Sequence, residues 1–182
     1  MLAALVAALA LAGPLPAGET SFTVLAGRPF YSVRVDHGLA PGFDIGAGAD
    51  ISLAGFFRPI AQGRLRAFQR GPLQISLRAA FAYIVPTLRA DGFGPRRLAR
   101  TGDGELGLAF EWTLRERIAL FAEAAALGET DLKAEHTASF AQGLLGAGWS
   151  TGGPLSLVAR GGILLGAHGR AGVGSAGAAW RF

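Results

Sequence analysis

From Leu73 to Val85 the chain holds one alternating register: Leu73, Ile75, Leu77, Ala79, Phe81, Tyr83 and Val85 share one face of an extended strand, and Gln74, Ser76, Arg78, Ala80 and Ala82 share the other, which only Ile84 interrupts. Thirteen residues in one register are more than a strand of a soluble sheet usually has. They suffice to cross a bilayer at a tilt, which takes about 9 to 11. The pattern returns in Phe43 to Leu53 and in Glu105 to Leu114, with apolar residues on one face and polar or small ones on the other, and in Leu155 to Ala167, where Leu155, Leu157, Ala159, Ile163 and Leu165 oppose Ser156 and Arg160. Weaker runs are Arg64 to Gln69, Arg117 to Leu127 and Thr137 to Trp149, and weaker still are Thr20 to Leu25 and Phe30 to Asp36. A chain written this way folds as an amphipathic sheet whose two faces meet different surroundings.

Composition says which surroundings. Hydrophobic residues make up 51% of the chain and the mean hydropathy is +0.37, yet beyond the first dozen residues there is no apolar run of the ~18 residues that a membrane helix needs. Apolar residues that abundant, with no run of that length, argue against a helical membrane protein and leave the sheet. The net charge of +4 comes from sixteen arginines and a single lysine, Lys133; this balance alone does not argue for nucleic acid. With no cysteine, neither disulfide nor thiolate chemistry is available. The His and carboxylate spacings match no metal site, and the glycine-rich stretches lack the strand-to-helix context of a phosphate loop. The sequence predicts no metal, no cofactor and no nucleic-acid partner.

Met1 to Ala12 is almost wholly Ala, Leu and Val, and Gly13, Pro14, Leu15, Pro16 and Ala17 follow. An apolar core this short fits the central region of a secretory leader. Two cleavage points fit, after Ala12, where Ala10, Leu11 and Ala12 give the small-x-small pattern, or after Ala17. The chain therefore divides into a cleaved leader over 1–17 and one barrel domain over 18–182.

Counting strands back from Phe182 places the connections near 37–42, 70–72, 115–116 and 150–154 on one side, all short and all but 115–116 marked by Gly and Pro, and those at 54–62, 86–104 and 128–136 on the other. Short turns on the periplasmic side and longer loops outside are the habit of bacterial barrels. The expected fold is all-β, an antiparallel up-and-down transmembrane β-barrel of ten strands, or of eight if Thr20 to Asp36 is an extension rather than the first hairpin. The aromatics follow the same frame: Trp112, Trp149 and Trp180, with Phe43, Phe110 and Phe182, fall at the periplasmic strand ends, and Tyr31, Phe81 and Tyr83 at the outer ends. Rings at two heights are expected at two membrane interfaces.

The polar face carries Arg34, Arg64, Arg66, Arg78, Arg160 and Arg181 against Asp36, Asp44, Asp50, Glu105, Glu111 and Glu123. A barrel of ten strands or fewer is narrow enough for side chains to fill, and charges there persist only when paired. The expectation is a salt-bridged filling of the lumen; a proton path or small pore is the alternative reading of the same residues.

The last strand ends Ala176, Ala178, Trp180, Phe182 on one face. With the leader, the alternating strands and the girdles, this terminal aromatic resembles the small outer-membrane β-barrels of Gram-negative bacteria, the OmpA transmembrane-domain and OmpX-like group, over about residues 20–182. The resemblance implies a monomer in the outer membrane that contacts lipid and lipopolysaccharide and is inserted by the barrel-assembly machinery through its C-terminal strand. The roles it implies are adhesion or envelope integrity, occasionally pore formation or lipid A modification. Arg89, Arg96, Arg97 and Arg100 in the longest outer loop offer planar donor forks to lipopolysaccharide phosphates. Glu135, His136 and Ser139, and His168 with Ser175, are the groups that could serve a lipid A deacylase, but they do not reproduce the His-x-Ser-Asn pattern of that family, and no catalytic residue is assigned. If the terminal aromatic is the recognition element, Phe182→Ala and a polar tail appended after Phe182 should each lower the yield of assembled barrel in outer-membrane fractions; undiminished assembly of both would remove that role.

Overall fold

The computed structural model of the chain describes residues 13–28, 31–52, 56–86, 101–131, 137–166 and 169–182. Ten strands account for nearly all of them: β1 (Thr20–Arg28), β2 (Tyr31–Ala40), β3 (Phe43–Ser52), β4 (Phe56–Arg70), β5 (Leu73–Pro86), β6 (Thr101–Arg115), β7 (Ile118–Asp131), β8 (Thr137–Ser150), β9 (Leu155–Gly166) and β10 (Gly169–Arg181). Each pairs antiparallel with its sequence neighbours, and β1 pairs with β10, so the sheet closes on itself as an up-and-down barrel. The first hairpin is part of the wall. This removes the eight-strand alternative.

Turn chemistry sets the ends of the strands. At the short-turn end, Pro41 precedes Gly42, which holds φ 85°, the pairing of proline with a positive-φ glycine that a type II turn demands. Gly71, at φ 56°, serves the next turn on that side. The opposite ends extend further than the sequence suggests. Residues 54–62, 86–104 and 128–136 read as loops, whereas β4 begins at Phe56, β6 begins at Thr101 and β7 continues to Asp131. Pro59 is the reason for the first misreading, since a proline ordinarily marks a break. Here it pairs with Ala49 of β3, while the β4–β5 ladder passes from Phe57↔Val85 to Ile60↔Ala82 without it, as the missing N–H requires.

A bulge between Arg66 and Phe68 of β4 re-aims the strand. Arg64, Arg66 and Phe68 have the same parity and would share a face of a regular strand. The extra residue leaves Arg66 beside the buried Ser76 and turns Phe68 outward, paired with Ile75. Without it a phenylalanine would enter the lumen among the arginines.

The alternation sorts the side chains as an inside-out protein would. Leu65, Leu77, Leu106, Leu108, Leu145 and Ile163 are exposed on the outer surface. Asp36, Asp44, Asp50, Arg64, Asp103 and Glu111 are buried within. The interior also holds apolar residues that the polar-face reading does not foresee: Leu25, Ile60, Phe121 and Leu144 are buried there, with Phe121 packed on Ala109 and Val158. Gly146 makes room for the Phe121 ring, because a Cβ at that position would lie 2.3 Å from its Cζ and 2.7 Å from the Ala159 carbonyl oxygen. Gly143, on the outer face of the same strand, has nothing within 4 Å of such a Cβ. Gly146→Val should therefore lower stability by about 1–3 kcal/mol through overpacking, measured by urea unfolding from detergent, while Gly143→Val should leave it unchanged.

Candidate functional site

The lumen charges form three groups, and their geometry grades from tight to loose. At the short-turn end, Arg64 of β4 grips Asp44 of β3 with two bonds, Nε to Oδ1 at 3.0 Å and Nη2 to Oδ2 at 2.7 Å. These residues are cross-strand partners, so backbone pairing alone brings them together. Arg64 also lies 3.6 Å from Asp36, whose other oxygen accepts the Gln62 amide at 2.6 Å. Asp44 is 0% exposed, and its Oδ2 accepts a further bond from the Leu15 backbone N–H at 2.7 Å. A carboxylate so enclosed, with a bidentate guanidinium and an amide donor, has its acceptor capacity met.

At the long-loop end, Asp50 of β3 receives Arg34 at 2.6 Å, Arg58 at 3.0 Å and the Ser32 hydroxyl at 2.7 Å. Arg58 continues to Asp103 at 2.8 Å. Arg58 and Asp103 lie in the stretches 54–62 and 86–104 that the sequence marks as loops; the longer β4 and β6 carry them inward.

Between these groups the contacts lengthen. Arg78 approaches Glu105 at 3.4 Å and Glu123 at 3.7 Å, and Arg160 approaches Glu123 at 3.8 Å while donating from Nε to the Ser175 hydroxyl at 3.0 Å. Arg78 Nε and Arg66 Nε are buried without a hydrogen-bond partner. Two cavities flank this level, of about 100 Å³ on one side and about 150 Å³ on the other. Ser32, Arg34, Arg78, Glu105 and Arg160 line both, so these five side chains form the partition. Each cavity is roomy and polar enough for ordered water.

Of the charges expected on the polar face, the structure brings Arg34, Arg64, Arg78, Arg160, Asp36, Asp44, Asp50, Glu105 and Glu123 into these groups. Glu111 is buried on the neighbouring wall, where its Oε2 lies 3.4 Å from the Gly13 backbone nitrogen, and Arg66 and Arg181 lie partly buried toward the same end.

The aromatics expected at the two interfaces lie on the outer surface in two bands. Along the short-turn end, cross-strand pairs run from Phe22↔Trp180 to Trp180↔Leu155, Trp149↔Leu157, Ile118↔Trp149, Trp112↔Leu120 and Leu73↔Trp112, a chain of aromatic and aliphatic contacts of the kind that stabilises sheets. Phe43, Phe110 and Phe182 are exposed at that end, and Tyr31, Phe81 and Tyr83 lie toward the other. Phe22 and Phe57 join the outer surface without having been singled out in the sequence.

Ser139 is exposed on the outer wall, and Ser175 is held in the lumen by Arg160. Glu135, His136 and His168 lie outside the described residues, as do Arg89, Arg96, Arg97 and Arg100 of the long loop.

No family model matches the sequence, and no curated relative matches it. Among solved structures the chain is similar to a loop L8 deletion mutant of OmpT, an outer membrane protein of Vibrio cholerae, at 12% identity and a TM-score of 0.47, over 84% of this chain and 53% of that one. In-vitro folded OmpT from Vibrio cholerae is similar at 9% identity and a TM-score of 0.43, over 90% and 64% of the two chains. The NanC porin is similar at 8% identity and a TM-score of 0.44, over 89% and 98%. The chain thus spans about half the length of the first of these and under two thirds of the second.

The graded geometry ranks the pairs. Asp44→Ala strips the buried Arg64 guanidinium of its bidentate partner and should cost about 3–5 kcal/mol. Glu105→Ala removes a longer contact beside a cavity that water can fill and should cost about 1 kcal/mol or less. Urea unfolding from detergent gives both values; equal losses would contradict the ranking.

Proposed function

We propose that the protein is an integral outer-membrane β-barrel of the small, side-chain-filled kind, similar to the OmpA transmembrane domain and OmpX, with a structural or surface-interaction role and no ion conduction. The observation that carries this reading is the inversion of the usual distribution: leucines, isoleucines and tryptophans cover the outside while arginines and carboxylates are buried within. In water an outer surface of that kind would aggregate. In hydrocarbon it is the stable arrangement, with the two aromatic bands at the headgroup levels.

The lumen supports a closed barrel over a pore. The partition of Ser32, Arg34, Arg78, Glu105 and Arg160 lies between the two cavities, and the apolar group around Phe121 fills part of the rest. An ion crossing would have to displace paired charges from a narrow, poorly solvated space. The partners of such a protein are membrane lipid around the wall, the barrel-assembly machinery at the C-terminal strand, and lipopolysaccharide phosphates at the arginines of the long loop, with the barrel acting as a monomer.

Two measurements test this reading. The processed protein should partition with outer membranes, require detergent, and migrate differently on gels before and after heating. In planar bilayers the wild type should show no steady conductance, and Arg78→Ala should introduce open events by removing one member of the partition. Recovery as a monodisperse detergent-free protein would overturn the membrane assignment, and steady wild-type conductance would replace the closed barrel by a pore.

A further inference from the structure

The segment before β1 turns into the mouth of the barrel at the short-turn end and is built into it. Leu15 is 1% exposed and Pro14 is as fully buried. The Leu15 N–H donates to Asp44 Oδ2 at 2.7 Å, and the Gly13 N–H approaches Glu111 Oε2 at 3.4 Å. The segment then reverses through Gly18, at φ 82°, and is stitched to β2 by Gly18 N to Gly38 O at 2.8 Å and Gly38 N to Glu19 O at 2.9 Å. Gly38 is shaped for this contact, because a Cβ there would fall 1.9 Å from the Pro16 carbonyl oxygen and 3.1 Å from that of Leu15. Backbone cannot yield as a flexible side chain can, so only glycine at position 38 admits the segment.

We propose that the leader is cut between Ala12 and Gly13, and that the new amino terminus stays inside the barrel, its ammonium group beside Glu111 and residues Gly13 to Pro16 stoppering the mouth. This rests on the reading of the protein as an exported outer-membrane barrel. Water adds across the Ala12–Gly13 amide, leaving a carboxylate on Ala12 and an ammonium on Gly13. The single N–H that faces Glu111 becomes a charged group with three donors, and the buried carboxylate gains a cation. Cutting after Ala17 instead would discard Pro14 and Leu15, take from Asp44 its shortest backbone donor, and leave the surface of Gly38 with nothing to receive. It would also place Leu15 three residues before the cut, where leader peptidases take a small side chain; for the cut after Ala12 that position is Ala10.

The test uses the whole precursor, expressed in a Gram-negative host and purified from outer membranes in detergent. Intact mass and N-terminal sequencing should give a chain that begins at Gly13. The position of the terminus is then read by amine labelling: Lys133 is the one lysine, so in Lys133→Arg the α-amine is the only amine left. In the folded barrel it should react with an amine-specific reagent at least about tenfold more slowly than in the urea-unfolded chain, since reaction waits on local opening. A mature chain beginning at Gly18 overturns the inference, and so does a Gly13 terminus that labels equally fast folded and unfolded; either leaves the outer-membrane reading intact. Absence of the protein from outer membranes would overturn that reading first and this one with it.

Discussion

Everything in this molecule depends on closing the ladder of backbone hydrogen bonds. In hydrocarbon an unpaired N–H or C=O has no partner to find, so a sheet that enters it must leave no edge. β1 and β10 meet that demand from Ser21↔Arg181 to Arg28↔Gly174. Thr20 and Phe182 complete the seam by exchanging backbone bonds at 2.9 and 3.0 Å. Once the sheet is closed, the alternation of side chains leaves each strand one face outside and one within, and ten strands give an interior too narrow for bulk water to solvate isolated charges. Closure thereby turns a pattern of polar residues into an obligation to pair.

The pairing is uneven, and the unevenness has consequences for how the lumen behaves. Arg64 and Asp44 sit opposite each other on adjacent strands and reach bidentate geometry with almost no freedom. Arg78, Glu123 and Arg160 come from separate parts of the wall and meet across the interior at 3.7 and 3.8 Å, beside cavities. The first kind of contact holds the shape of the barrel. The second occupies the cross-section while remaining free to rearrange with water, so the middle of the lumen is the level at which a closed barrel would first admit an ion.

Much of this was legible in the chain because period 2 is a strong signal when both faces are chemically distinct. Leu73 to Val85 defines its strand, its faces and the inward position of Arg78 from residue types alone. The signal weakens where one face consists of glycine and alanine, as in β10, and where a bulge breaks the parity, as at Arg66 and Phe68. Proline hid the start of β4, and with it Arg58; the length of the intervening segment hid the start of β6 and Asp103. The apolar group around Phe121 was not legible for a different reason. Ala119, Phe121 and Glu123 share a face that is neither clearly polar nor clearly apolar, and only the cradle supplied by Gly146 on the next strand shows that a phenylalanine fits inside. The docking of Leu15 is a long-range fit between a terminal segment and Gly38, which no local pattern announces.

The central claim is that the apolar face of the sheet meets lipid and the charged face meets itself. Because the chain contains no cysteine, single cysteines placed in turn along Gln74 to Ala82 of β5 each report from one site, and a fluorophore on each can be read for quenching by brominated lipid. Quenching should rise at positions 75, 77, 79 and 81 and fall at 74, 76, 78, 80 and 82, following the register against β4 and β6. Quenching in the opposite phase, or free access of a water-soluble reagent to the odd positions, would contradict the account.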